Sequence, residues 1–341
     1  VSEMVVSSSM AQQQQQQRQK GDALYREASK LVTPPTSRLA RLTWKRDPAT
    51  AAGKFVGAGH AFAAAGATAL AIDSLQKGAE AHLAAETPFQ AAHALERAAA
   101  LAASDGNFAS VRSLSQQASD AWVLAGHRGN AVEALARGAA KCSPPTAEDA
   151  PSDDDALALW RLTLDAAAEA ETRGVDEAAA KAWLWLVGAD HLDVAAESVP
   201  TVVKALDGAD VDDDHPTRLR LLAASIVLEL ARRDVHAADK AFFAALDGCA
   251  AFAASRAAAV AEDLLAAVKR GDREAFEMAS KPQRLADLDV QLAQLVTRPG
   301  GGIASLLDEA EVTPQNKAPP PPEVEADAGR VDDDDDLPDL S

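Results

Sequence analysis

The first half of the chain repeats one pattern of apolar, small and turn positions. GHAFAAAG (Gly59 to Gly66), EAHLAAET (Glu80 to Thr87), AALAASDG (Ala99 to Gly106) and DAWVLAGH (Asp120 to His127) each set a larger apolar residue among small ones and close on a turn residue. These stretches start 21, 19 and 21 residues apart. One helix plus one turn fits each step, so two steps make a helical hairpin of about forty residues, the period of a helical-repeat solenoid. Ala and Gly let neighbouring helices approach closely, and Phe62, Leu83, Trp122 and Leu135 are the expected knobs into the next helix. The expected fold class is all-α: a tetratricopeptide-like helical-hairpin solenoid capped by a C-terminal helical bundle.

The same pattern divides the chain. Residues 1–20, with QQQQQQ at Gln12 to Gln17, read as a low-complexity, disordered front, frayed helix at most. The solenoid covers 21–217. It is interrupted by two acidic loops, CSPPTAEDAPSDDDA (Cys142 to Ala156) and LDGADVDDDHPT (Leu206 to Thr217), with two amphipathic helices between them. A compact run of helices at 218–302 forms the bundle, which covers the apolar face that the last repeat would otherwise expose. Residues 303–341 read as a disordered acidic tail ending VDDDDDLPDLS.

Composition sharpens this. Hydrophobic residues make up 48% of the 341 positions but aromatics only 4%, which favours close-packed helices over sheets. The net charge of −19 disfavours nucleic acid as a partner. Residues 1–54 nevertheless hold nine Lys/Arg against four Asp/Glu, and residues 314–341 hold two against nine. A basic front and an acidic rear suggest two different partners. No apolar run approaches the ~20 residues of a membrane span, and VSEMVVSSSM lacks the apolar core of a signal peptide. Cys142 and Cys249 are two lone thiols, as expected of buried, reduced cysteines in a cytosolic protein.

Candidate chemistry is sparse. The seven histidines show no zinc-type spacing. GKFVGAGHAF has Phe62 where a dinucleotide fingerprint needs its third glycine, and Gly53-Lys54 is followed by Phe55, unlike a phosphate loop. PGGGI (Pro299 to Ile303) reads as a hinge, and Asp212-Asp213-Asp214-His215 as a solvated turn. The chain reads as a non-enzyme that needs no metal or cofactor. SRLARLTWKRDP (Ser37 to Pro48) stands out, with Leu39, Leu42 and Trp44 among Arg38, Arg41, Lys45 and Arg46. That mixture suits the interface of an anionic membrane. Equally, Leu42 and Trp44 could staple the next helix to the core.

RLTWKRDPATAAGKFVGAGHAFAAAG resembles the opening helices of the soluble NSF attachment proteins, gamma type. A helical array, a bundle, PGGGI and an acidic tail with penultimate Leu340 repeat that family's order of parts. The resemblance implies an adaptor for intracellular membrane fusion and vesicle transport. It would lie along a SNARE four-helix bundle of the syntaxin type and recruit the hexameric ATPase NSF, on the cytosolic face of membranes. It places NSF binding on Asp332, Asp333, Asp334, Asp335, Asp336, Asp339 and Leu340. It places a membrane-attachment loop on Leu39, Arg41, Leu42, Trp44 and Lys45; the family's SNARE-contacting residues do not match one by one, and repeat phase alone puts those contacts on Arg128, Arg137 and Lys141. One departure is ASLLDEAEV after the glycine run, where gamma relatives carry lysines. The alternative from another class is a peptide-binding helical-repeat scaffold or chaperone adaptor. Its mark would be a clamp of Lys, Arg and Asn at fixed repeat positions, and no such clamp stands out in the sequence.

Overall fold

The computed structural model describes residues 2–143, 153–298 and 303–307. They form an all-α array, with no strand among the described residues. In order it comprises α1 (Ser2–Val32), α2 (Arg38–Thr43), α3 (Pro48–Ala64), α4 (Thr68–Ala84), α5 (Pro88–Ser104), α6 (Phe108–Leu124), α7 (Arg128–Cys142), α8 (Asp153–Ala170) and α9 (Val175–Gly188). There follow α10 (Leu192–Gly208), α11 (Pro216–Ala231), α12 (Val235–Gly248), α13 (Ala250–Ala253), α14 (Arg256–Arg270), α15 (Arg273–Ala279), α16 (Pro282–Leu285) and α17 (Val290–Thr297). From α3 to α9 each helix packs on its chain neighbours, α1 caps α3, and α11 is the centre on which α12, α14 and α17 gather.

The repeat is built by its turns. The helices α3 to α6 are each 17 residues long. The turn that follows each of them holds a left-handed residue, at Gly66, Glu86, Gly106 and Gly126, so one helix and one turn take twenty residues. Each turn closes with the same bond, an amide donating to a carbonyl five residues back: Ala67 to Phe62, Thr87 to His82, Asn107 to Ala102 and His127 to Trp122. This is the Schellman closure, which satisfies the last helical carbonyls and reverses the chain. Glycine supplies the left-handed φ at little cost, and at Glu86 the same turn closure holds it on a residue with a Cβ.

Burial repeats with a two-helix period. In α5 the inward positions are Ala91, Ala92, Ala94, Leu95, Ala98, Ala99 and Ala102. In α7 they are Ala131, Val132, Ala134, Leu135, Gly138, Ala139 and Cys142, matching position for position one hairpin later. Gly138 allows the closest approach: a Cβ there would stand 2.7 Å from Cβ of Ser115 on α6.

Several expectations change. Phe62, Trp122 and Leu135 are buried knobs, but Leu83 is exposed and Leu75 fills the core of α4 instead. Periodicity alone could not choose between two leucines on one helix. The stretch holding the glutamine run is helical, because α1 extends from Ser2, although its residues from Met10 to Gln19 stay largely exposed. Asp153, Asp154 and Asp155 lie in the first turn of α8, where they complement the helix dipole. Three helices rather than two follow the first acidic loop. α10 forms despite its internal Pro200, which had hidden it. One hydrophobic core runs from Leu75 to Leu307, so the boundary between 217 and 218 marks a change of packing pattern within a single core. Ile303 and Leu307 are buried in that core, and the Arg233 guanidinium donates to the Ser305 hydroxyl at 3.0 Å. Described residues therefore pack on that core beyond residue 302. Of PGGGI only Ile303 is described, and Asp332 to Asp336, Asp339 and Leu340 lie outside the described residues.

Candidate functional site

Two features stand out: a groove across the first hairpins, and the row of turns at one edge of the array.

The groove has a volume of ≈ 550 Å³. It is lined by Val56 and His60 of α3, Leu75 and His82 of α4, His93, Glu96 and Arg97 of α5, and Arg137 and Lys141 of α7. Glu96 organises it. Its carboxylate accepts from the Trp122 indole N–H at 2.8 Å and from the Arg137 guanidinium at 2.6 Å. Arg137 also donates to Glu133 at 2.8 Å, which holds the guanidinium over the groove. Burial pushes the His82 pKa down. Burial, with the Arg97 charge behind it, does the same to His60. Lys141 is lowered by burial and then by Arg137, while Glu96 opposes both. Arg97, Arg137 and Lys141 against Glu96 leave the groove cationic, and the lowered pKa values mark it as partly desolvated, which favours an acidic or hydrogen-bond-accepting partner.

Of the three residues assigned to SNARE contact, the structure brings Arg137 and Lys141 together in this groove. Arg128 lies elsewhere: it starts α7 at the turn edge and donates to the Glu169 carbonyl at 3.2 Å. The sequence reading missed His60, His82, His93, Glu96 and Arg97. A signal did exist, since Arg97 and Arg137 occupy the same position of successive hairpins. It is a two-member form of the repeated clamp not recognised in the sequence.

At the turn edge, α2 displays Leu39 and Leu42, 80% and 82% exposed, three residues apart on one face. Trp44 behaves differently. It is half-buried, and its indole N–H donates to the Lys30 carbonyl at the end of α1 at 3.1 Å, stapling the loop to the first helix. Arg41 is also tied into the loop, donating to the Pro35 carbonyl at 2.8 Å, while Lys45 is exposed. The loop then re-enters the array at Asp47. That carboxylate caps α3 by accepting from the Thr50 amide at 3.0 Å, and hydrogen bonding to Thr50, through its side chain first and then its amide, lowers its pKa.

Among the described residues no group of His, Cys, Asp or Glu could hold a metal ion, and no helix is long and apolar enough to cross a membrane. Both cysteines are buried and free. By fold the chain is an all-α helical solenoid. No protein-family model matches it, and no curated protein matches it.

Proposed function

We propose that the protein is an adaptor. Its helical array lies along a helical partner, for which the resemblance names the SNARE four-helix bundle, and its acidic C-terminal segment recruits and stimulates the ATPase NSF. The observation that carries this is the groove, where α5 and α7 set Arg97, Arg137 and Lys141 along one face of a regular array. A partner lying across successive repeats would make many polar contacts of modest strength each, which suits an adaptor that must release its cargo. Several adaptors around one rod would raise the local concentration of their tails at a multimeric ATPase. Leu39 and Leu42 would hold the complex against the membrane in which SNAREs are anchored.

The test is stimulation of NSF ATPase activity by the intact protein with a SNARE complex, beside Leu340→Ala and the pair Arg97→Ala with Arg137→Ala. The arginine pair should weaken co-sedimentation with the SNARE complex, and Leu340→Ala should leave co-sedimentation intact while abolishing stimulation. No stimulation by the intact protein overturns the proposal. The recurrence of Arg97 and Arg137 at one repeat position also favours a second reading, a scaffold that grips a short acidic peptide. Capture of a single linear motif with micromolar affinity, without any SNARE complex, would select it.

A further inference from the structure

The array is antiparallel, so alternate turns fall on the same edge. The α1–α3 loop, the α4–α5 turn and the α6–α7 turn share one edge, and the α3–α4 and α5–α6 turns share the other. Contacts link the first three. Arg46 of the loop and Glu80 and Ala81 of α4 line one small cleft. Phe89, at the start of α5, packs edge-on against Trp122 and His127 with ring centroids 5.0 and 5.8 Å apart.

That edge is apolar where turns are ordinarily polar. After Leu39 and Leu42 it exposes Leu83 and Phe89 at the second turn, then Val123 and Leu124, 51% and 70% exposed, at the third. Exposed cations accompany them: Arg41, Lys45, Arg46 and Arg128. Of the acids near this edge Glu80, Glu86 and Glu133 are exposed, Glu133 is paired with Arg137, and Asp47 is engaged in capping α3. The opposite edge carries Gly66 and Thr68, then Ser104, Asp105, Gly106 and Asn107. Leu70 is the exposed large aliphatic residue nearest to it. The apolar edge ends where acid returns, at Glu169 and Glu171 beside Arg128.

We infer that this whole edge, and not the α2 loop alone, is a docking surface for an anionic lipid bilayer. The α4–α5 and α6–α7 turns insert Leu83, Phe89, Val123 and Leu124 at headgroup depth. The inference extends the membrane contact proposed above and rests on it. Scattered exposed apolar residues need no explanation, but these six line three consecutive turns of one edge with cations between them. That is the arrangement an anionic interface stabilises, by apolar insertion together with attraction of Lys and Arg to phosphate. Three attachment points also fix orientation, which one loop cannot do. The helix axes would stand across the membrane plane, with the groove facing sideways along it.

The buried native thiols make the test direct, because an introduced surface cysteine is labelled selectively. An environment-sensitive fluorophore is placed on the full chain at Leu39→Cys, Leu83→Cys, Leu124→Cys or, as the opposite-edge control, Ser104→Cys. Each is titrated with phosphatidylcholine vesicles, with and without phosphatidylserine. Emission should shift to the blue at 39, 83 and 124 with the anionic vesicles, far less with phosphatidylcholine alone, and not at 104. In unlabelled protein, Val123→Ser with Leu124→Ser should lower the partition coefficient roughly tenfold. A shift at 39 without one at 83 and 124 overturns the extended edge and leaves the loop contact standing. No shift at any position overturns both. A concentration-dependent shift at 124 without lipid makes the edge a protein interface and overturns the inference.

Discussion

Glu96 is the residue on which the groove turns. Trp122 is almost wholly buried, and its indole N–H has the Glu96 carboxylate as partner. Glu96→Ala leaves that donor unsatisfied and should cost about 1–3 kcal/mol in chemical denaturation. Glu96→Gln keeps an acceptor at the same place and should recover much of that loss, although it weakens the ion pair with Arg137. Equal destabilisation by both variants would show that charge and not the hydrogen bond matters. Cys142 makes a second test through pH. Burial, with a smaller contribution from Asp155, pushes its thiol from an ordinary 9.0 up to about 11. The fold therefore prefers the neutral thiol. In the unfolded chain the thiol ionises at lower pH than in the fold, so this contribution is complete below pH 9.0 and is lost as pH rises toward about 11. Stability should fall across that window in the native protein, and the fall should be shallower in Cys142→Ala, whatever the cavity costs it overall.

At the scale of elements, the close approach of α6 and α7 is set by one missing methyl. Gly138→Val drives a branched side chain into Cβ of Ser115, an atom that rotamer changes cannot move. It should destabilise by about 3 kcal/mol. Gly53 is the counter-case. It lies inside α3 with open space around its Cβ position, so Gly53→Ala gains helix propensity without a clash and should stabilise by about 1 kcal/mol. If both glycines respond alike, packing does not distinguish them and the close approach is not real. This pair also shows what the sequence could reveal. The spacing of small residues and turns made the hairpin period legible, and the left-handed residues recur once per helix, at half that period. The spacing could not say which glycine faces a neighbour, nor that Leu75 rather than Leu83 is inside, because both questions depend on helix rotation. α10 was lost to Pro200, a residue that disfavours helix but does not forbid it once both faces are packed. The groove stayed hidden because its members come from four helices. The tie between Trp44 and the Lys30 carbonyl crosses a loop whose path no pattern encodes.

At the scale of the whole molecule, the core is continuous but not uniform. The main cluster runs from Leu75 through α11 to Leu307, whereas α1, α3 and α4 meet through two small satellites, one around Phe55 and one around Phe62. A repeat array is stabilised by nearest-neighbour interfaces, so its ends open more easily than its middle. The two ends differ here. At the rear, Ile303 and Leu307 tie the chain back into the main core. At the front, α1 covers α3 through Gly21 against the Phe62 ring, through Tyr25 edge-on to Phe55 at 5.4 Å, and through the exposed pair of Lys54 and Glu27. Native-state hydrogen exchange should therefore report an opening of α1 and α3 at least about 3 kcal/mol cheaper than that of α11, where Ile226, Val227 and Leu228 are fully buried. The α2 loop belongs to that weaker front, and its lipid contacts are absent from the opened state. Anionic vesicles that bind Leu39 and Leu42 should thus slow exchange in α1 and α3 by mass action while leaving α11 unchanged. If α3 exchanges as slowly as α11 without lipid, the front and rear form one cooperative unit. The satellites would then be extensions of the main core in energy as well as in position.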